Sequence, residues 1–181
     1  MNVDSEQITL DKSLVVAQDQ PLSEKQLQEC LINALGKSKC RILTVPPRKW
    51  VLEYIDGGKV YHLLVRTCTY LGNPHPIFKK RVQLPLWFNE YTNDINKMNP
   101  NIDVRYIGVY HYGDEHHGDN VIFVDFKKDT YLTKKGHNSS AHVYTNDLFQ
   151  AMTYGVFTKE DFFGNSISAI RRDKFRDYII G

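Results

Sequence analysis

The feature that most constrains the fold is the segment KWVLEYIDGGKVYHLLVRTCTYLG, residues 49–72. Its two runs are rich in apolar, β-branched and aromatic residues, which favour strands. Between the runs stands Asp56-Gly57-Gly58, and Asp-Gly and Gly-Gly pairs favour the tight turns of β-hairpins because glycine readily adopts a positive φ. The segment therefore predicts an antiparallel hairpin.

Helical spacing and turn residues predict the elements around this hairpin. Ser23 and Gln26 have the spacing of a capping box, so a helix is predicted to start there and to end at Gly36. Further along, the patterns predict a strand in 77–85, a helix in 86–98, a hairpin with strands in 104–112 and 120–131, a short helix in 147–155 capped by Thr145 or Asn146, and a last basic helix in 168–180.

These elements predict a single α+β domain, with a central mixed β-sheet of about five strands flanked by helices. A chain of 181 residues is long enough for one domain with its own core and too short for two full domains. Residues 1–20 are predicted to form a flexible N-terminal arm because chain ends are often poorly ordered, and residues 21–181 are predicted to form the domain.

Composition excludes several classes of protein. The hydrophobic content of 41% and the aromatic content of 12% indicate a folded chain rather than a disordered one. No apolar run approaches the ~20 residues of a membrane helix, and the N-terminus lacks the pattern of a signal peptide. Cys30, Cys40 and Cys68 are widely spaced, without a CxxC pair, which favours reduced thiols. We therefore expect a cytoplasmic protein with no membrane partner.

The charge distribution indicates a polyanionic partner. Residues 1–30 carry six acids and two bases, whereas residues 31–181 carry 15 acids and 21 bases. The bases cluster beside polar and aromatic residues, a pattern typical of surfaces that bind nucleic acids. We therefore expect double-stranded DNA as the partner.

Two segments carry the predicted DNA contacts. In the strand at 79–81, alternation puts Lys79 and Arg81 on one face, opposite Lys80. In the polar loop at 134–146, lysines and hydroxyls suit phosphates, and Asn and His suit base edges. The predicted DNA-binding residues are Lys79, Lys80, Arg81, Lys134, Lys135, His137, Asn138, Ser139, Ser140, His142, Tyr144 and Asn146.

A catalytic centre is predicted in YGDEHHGDNVIFVDFKK, residues 112–128. Alternation in a strand puts Asp125 and Lys127 on the same side. Asp125 and a second acid, Asp114 in a wide hairpin or Asp119 in a tight one, would bind Mg²⁺, which polarises a phosphate and lowers the pKa of an attacking water. Lys127 would orient that water or stabilise the transition-state charge.

The stretch GDEHHGDNVIFVDFK resembles the PD-(D/E)xK core of restriction endonucleases. Asp125 matches the (D/E) position, Lys127 matches the lysine, and Asp114 or Asp119 matches the first acid. The motif's proline is absent before either acid, where Gly113 and Gly118 stand instead. The resemblance implies a restriction-endonuclease-like fold and Mg²⁺-dependent hydrolysis of DNA in a restriction or defence system. Cutting both strands would imply a homodimer or a partner subunit.

Other functions are also compatible with these residues. The leading alternative is a noncatalytic DNA-recognition domain of a larger restriction protein, specific for a sequence or a modification, which would use the same basic and polar segments. A zinc site is a second alternative, because His111, His116 and His117 lie near three acids, although adjacent residues point apart in extended backbone. A protein-interaction module is a third.

Overall fold

The structure is a computed structural model that describes residues 5–17, 19, 21–113, 118–132, 138–160 and 164–181. In chain order the elements are β1 (Ser5–Ile8), β2 (Leu14–Ala17), α1 (Glu24–Leu35), β3 (Cys40–Val45), β4 (Lys49–Asp56), β5 (Lys59–Thr67), β6 (Thr69–Tyr70), β7 (Lys79–Leu84), α2 (Leu86–Met98), β8 (Asp103–His111), β9 (Val121–Asp125), α3 (Asp129–Leu132), β10 (Ser139–Tyr144), α4 (Thr145–Tyr154), β11 (Val156–Glu160), β12 (Ser166–Arg171) and α5 (Phe175–Ile180).

The centre of the fold is a seven-stranded sheet in the order β11-β12-β9-β8-β5-β4-β3. Only the β5–β8 pair within it is parallel, because the chain leaves the sheet after β5 and returns through β6, β7 and α2. The predicted α+β class, with a mixed sheet flanked by helices, is therefore confirmed, and the sheet has seven strands rather than about five.

Each face of the large sheet is covered by a separate apolar layer. Helices α1 and α5 pack on one face, against Ile107 and Phe123. Helices α2 and α4 cover the other face, together with a three-stranded sheet in the order β10-β7-β6. The small sheet approaches β8 closely at Gly108, where an added Cβ would lie 2.6 Å from Phe126 Cε2 and 2.9 Å from Val82 Cγ2.

Residues 5–17 form an antiparallel hairpin, β1–β2, where the sequence predicts a flexible arm. The hairpin is tied to the core because Ile8 is fully buried and its backbone N–H donates to the Tyr110 hydroxyl at 3.3 Å. Asp19, just beyond the hairpin, forms an ion pair with Lys80 of β7. No helix among the described residues is long and apolar enough to cross a membrane.

The last part of the chain differs from its prediction. Residues 168–180 were expected to form one basic helix, but β12 occupies Ser166–Arg171 and only Phe175–Ile180 form an α-helix. Strand β12 pairs with β9 and β11, and its side chains are buried on both faces of the sheet, so pairing in the sheet outweighs local helix propensity. Strands β3, β10 and β11 are also absent from the predicted order.

Candidate nucleic-acid interface

The small sheet separates polar from buried side chains by strand alternation. In β7, Lys79 and Arg81 are half-buried and Gln83 is exposed, whereas the side chains between them are buried. We call the side of the small sheet that carries Lys79, Arg81 and Gln83 the outer face. The other side packs on the core of the domain.

Strand β10 continues the outer face. It pairs antiparallel with β7, so Tyr144 lies opposite Lys79, and His142 lies opposite Arg81. Ser140 lies opposite Gln83, and these pairs form one row of polar side chains across two strands. Ser139, which was also among the predicted DNA-binding residues, points the other way and is buried.

Lys80 has a different environment from its two neighbours. Its side chain is 0% exposed, and its Nζ lies 2.9 Å and 3.0 Å from the carboxylate oxygens of Asp19. It therefore has no access to a ligand on the surface. Within the described part of the chain, no ion pair involves Lys79 or Arg81, so these two cations can act on an external anion.

A cavity of about 190 Å³ lies at the β10 edge of the outer face. Its lining comprises Thr130, Tyr131, Ser140, His142, Tyr144, Lys159, Asn165 and Ile167. The Lys159 ammonium forms an ion pair with Asp147 at 2.6 Å and lies 4.5 Å from the centre of the Tyr144 ring. We call this site the β10 cavity.

The other described residues of the 134–146 segment that were predicted to bind DNA do not line the β10 cavity. Asn146 lines a neighbouring cavity of about 410 Å³ that also contains Phe78 and Phe149. The Asn138 side-chain oxygen accepts a hydrogen bond from the Leu86 N–H at 2.9 Å, and it thereby caps α2. Lys134, Lys135 and His137 lie outside the described residues.

Residues Lys159 and Asn165 of the β10 cavity were not among the predicted contacts. Lys159 belongs to β11, and Asn165 directly precedes β12; the sequence did not indicate either of these strands. Alternation within β10 could have indicated that Ser140, His142 and Tyr144 share a side, but it gives no information about which distant segment covers that side.

The structure brings Asp125 and Lys127 together, although not by strand alternation. Strand β9 ends at Asp125, and Lys127 adopts a positive φ of 53°. The Lys127 backbone N–H donates to the Asp125 carboxylate at 3.0 Å, and its Nζ lies 3.6 Å from the same carboxylate. The pair is therefore formed by a local Asx-type turn at the end of the strand.

Protein groups enclose the Asp125 carboxylate. Its residue is 3% exposed, the Tyr178 hydroxyl donates to it at 2.9 Å, and Arg105 Nη1 lies 3.5 Å away. Burial tends to lower the pKa of Lys127, but its hydrogen bond with Tyr178 and the Asp125 charge outweigh burial and raise the pKa. The environment of Lys127 therefore favours its charged form.

Arg105 also binds Asp103, with its Nη2 3.0 Å from that carboxylate. Burial tends to raise the pKa of Asp103, but the hydrogen bonds and charge of Arg105 outweigh this and hold the pKa below its ordinary value. Together, Asp103, Arg105, Asp125, Lys127 and Tyr178 form a compact network of ion pairs and hydrogen bonds, which we call the Asp125 network.

Asp119, one of the two candidates for the second acid of the predicted metal site, does not lie beside Asp125. Asp119 is 74% exposed in its side chain, pairs with Arg172 at 3.3 Å and precedes the opposite end of β9. The four residue steps of β9 alone separate the two ends by about 13 Å. Asp114, the other predicted ligand, lies outside the described residues, as do His116 and His117. Among the described residues, no group of three or more His, Cys, Asp or Glu side chains is arranged to hold a metal ion.

The comparisons with known proteins give one match. Residues 59–179 match the model of a family described as methylase-associated X1. No curated protein and no solved structure gives a significant match to the chain. The matched range contains the outer face, the β10 cavity and the Asp125 network, and the description of the family suggests a restriction-modification setting.

Proposed function

Since this chain belongs to the methylase-associated X1 family, we propose that it is a noncatalytic DNA-binding component of a restriction-modification system. The observation that carries the proposal is the outer face of the small sheet. There, Lys79 and Arg81 share one surface with the polar side chains of Ser140, His142 and Tyr144.

The spacing of the two cations fits a nucleic-acid backbone. Residues two apart on a strand are separated by about 6.6 Å. Successive phosphates of one DNA strand lie a similar distance apart through space, because the ~3.4 Å rise is measured along the helix axis and the backbone winds around that axis. Lys79 and Arg81 can therefore contact adjacent phosphates of the same strand. The hydroxyl, imidazole and phenol groups of β10 lie beside them, where they can donate to phosphates or to base edges.

The salt dependence of binding tests this proposal. We expect fluorescence anisotropy to detect binding to a labelled duplex that weakens between about 50 and 200 mM salt, because binding releases counterions from DNA. The double variant Lys79→Ala/Arg81→Ala should reduce the slope of log K against log salt by about two, one for each lost phosphate contact. Lys25→Ala is the matched control, because Lys25 is 86% exposed on α1, which covers the opposite face of the large sheet.

Two results would contradict the proposal. One is an absence of duplex binding at low salt, which would favour the protein-interaction module. The other is an unchanged salt slope in the double variant, which would assign the DNA contacts to another surface. Melting curves for all three proteins serve as the folding control, and we expect them to coincide because none of the replaced side chains belongs to the buried core.

A Mg²⁺-dependent endonuclease is the second candidate, and the closeness of Asp125 and Lys127 favours it. A metal ion at Asp125 would have to displace Tyr178 or Arg105 from the carboxylate, which makes this candidate the weaker one. We expect plasmid DNA, methylated or unmethylated, to remain intact with Mg²⁺. Cutting that requires Mg²⁺, stops with a chelator and is lost in Lys127→Ala would replace our proposal with the nuclease.

A further inference from the structure

The β10 cavity lies within reach of any duplex held on the outer face. Ser140, His142 and Tyr144 belong to both, since they form the polar row of β10 and also line the cavity. A ligand that enters the cavity is therefore next to Lys79 and Arg81, the two cations that we assign to phosphate contacts.

The size of the cavity limits its ligand. Its volume is about 190 Å³, which is below the ~300–1,000 Å³ of pockets that hold drug-sized molecules. A single planar heterocycle is of suitable size, whereas an oligonucleotide or a folded peptide is too large. The ligand must therefore be a small group or one part of a larger molecule.

The lining suits the faces and the edge of such a heterocycle. Tyr131, His142 and Tyr144 supply flat rings, on which bases of any sequence can stack. The hydroxyl of Ser140 and the amide of Asn165 supply donors and acceptors, and an amide presents both kinds side by side, as the edge of a base does.

The charge of the cavity favours a neutral ligand over a phosphate. Lys159 is the one cation among the described lining residues, and Asp147 neutralises it at 2.6 Å. Lys79 and Arg81, which form no ion pair with any described residue, instead stand on the neighbouring outer face. The outer face is thus suited to phosphates, and the adjacent β10 cavity is suited to an uncharged ring.

We propose that the β10 cavity receives one nucleobase, extruded from a duplex whose backbone lies along the outer face. The inference rests on the proposed DNA-binding function. Extrusion costs a few kcal/mol of lost pairing and stacking, and the cost is least for a mismatched base. A duplex with a mismatch should therefore bind about ten times more tightly than its matched form, or better, at the same salt concentration, since ~1.4 kcal/mol is tenfold.

The test uses duplexes that contain 2-aminopurine, a fluorescent base that brightens when it leaves the stack, either paired with thymine or mismatched. We expect the protein to bind the mismatched duplex more tightly and to raise its fluorescence. The double variant Ser140→Ala/Asn165→Ala should lose both effects and keep the salt slope of binding. Gln83→Ala is the matched control, because Gln83 lies opposite Ser140 on the outer face but outside the cavity.

A second variant tests the cavity in case Ser140→Ala/Asn165→Ala fails to fold. Thr130→Val replaces one hydroxyl of the lining with a methyl group of the same shape, and we expect it to reduce the preference for the mismatched duplex while the melting temperature is kept. A parallel titration with the four deoxynucleoside monophosphates distinguishes a base extruded from DNA from a free nucleotide. Tight binding of a monophosphate that Ser140→Ala/Asn165→Ala removes, without fluorescence change on the duplex, would overturn extrusion and assign the cavity to free nucleotides.

The remaining outcomes separate the inference from the proposed function. Salt-dependent duplex binding with no fluorescence rise and no preference for the mismatch overturns the inference and leaves the proposed function standing. An equal loss of mismatch preference in Gln83→Ala also overturns it, because the cavity would then not be the cause. Absence of duplex binding by the unaltered protein overturns the proposed function itself.

Discussion

Replacement of Lys80 by methionine separates a structural role of this lysine from a role in DNA binding. The sequence groups Lys80 with Lys79 and Arg81 as one basic cluster, but its side chain is 0% exposed and forms an ion pair with Asp19, which is itself nearly buried. Methionine has a similar length and no charge, so Lys80→Met removes the charge with little change in packing volume.

The expected cost follows from what remains after the substitution. The Asp19 carboxylate stays buried beside β7 without a countercharge, and breaking a buried ion pair in this way typically costs about 3–5 kcal/mol. For a chain of this size, that corresponds to a fall in melting temperature of roughly 6–20 °C. The loss arises from one uncompensated charge, so it should shrink when the charge is also removed.

The companion variant is Lys80→Met/Asp19→Asn. The Asn side-chain oxygen can still accept the backbone N–H of Tyr70, which donates to Asp19 Oδ2 at 2.5 Å, so no other buried donor loses its partner. We expect the double variant to recover most of the stability, because removal of both charges of a buried pair is often nearly neutral. Together with the single variant Asp19→Asn and the unaltered protein, Lys80→Met and the double variant form a cycle that measures the coupling energy between the two side chains.

Urea unfolding followed by circular dichroism gives the stabilities, and anisotropy at low salt gives DNA affinity for the folded protein. We expect Lys80→Met to lose stability and to keep the salt slope, the reverse of Lys79→Ala/Arg81→Ala. If Lys80→Met keeps its stability and reduces the salt slope by about one, Lys80 contacts DNA. That result would contradict the buried ion pair between Lys80 and Asp19.

Three further substitutions or treatments test the packing and the charges. Gly108→Ala should cost about 1–3 kcal/mol in urea unfolding, since the added methyl group overlaps the core. Burial raises the pKa values of Cys30 and Cys40 to about 11, so alkylation at pH 8 should be far slower in the native protein than in urea; equal rates would contradict this burial. Arg105 holds the pKa of Asp103 below its unfolded value, so its stabilisation is present above about pH 3.9 and is lost as the pH falls through the folded pKa. Asp103→Asn should accordingly lower the melting temperature at pH 7 and have little effect in strong acid.

The sequence predicts elements that are specified by neighbouring residues. The turn Asp56-Gly57-Gly58 and the capping box of Ser23 with Gln26 are local, and both the hairpin and α1 are where they were predicted. Strand β12 is different, because its conformation depends on pairing with β9 and β11, and its basic end resembles the start of an amphipathic helix. Local propensity alone cannot identify a strand of this kind.

In the candidate interface, too, the sequence predicts the local features but not those that depend on distant residues. Alternation within β7 separates Lys79 and Arg81 from Lys80 in the sequence, and the structure has the same alternation. The partner of Lys80 could not be predicted, because Asp19 is 61 residues away in the chain and lies in a segment expected to be a flexible arm. Lys159 and Asn165 reach the β10 cavity for the same reason, through strand pairings that no local pattern specifies.

Successive side chains of β10 point alternately into the core and onto the outer face. Substitutions at adjacent positions should therefore have different effects. Ala141 is buried in the core, so Ala141→Asp would bury an unpaired charge and should unfold much of the protein at room temperature. Ser140, one residue earlier, is exposed opposite Gln83, so Ser140→Asp should leave the melting temperature unchanged. It should nevertheless weaken duplex binding, because it adds a negative charge beside the phosphates. Equal losses of stability in the two variants would mean that β10 does not alternate between core and surface, and the outer face would lose half of its residues.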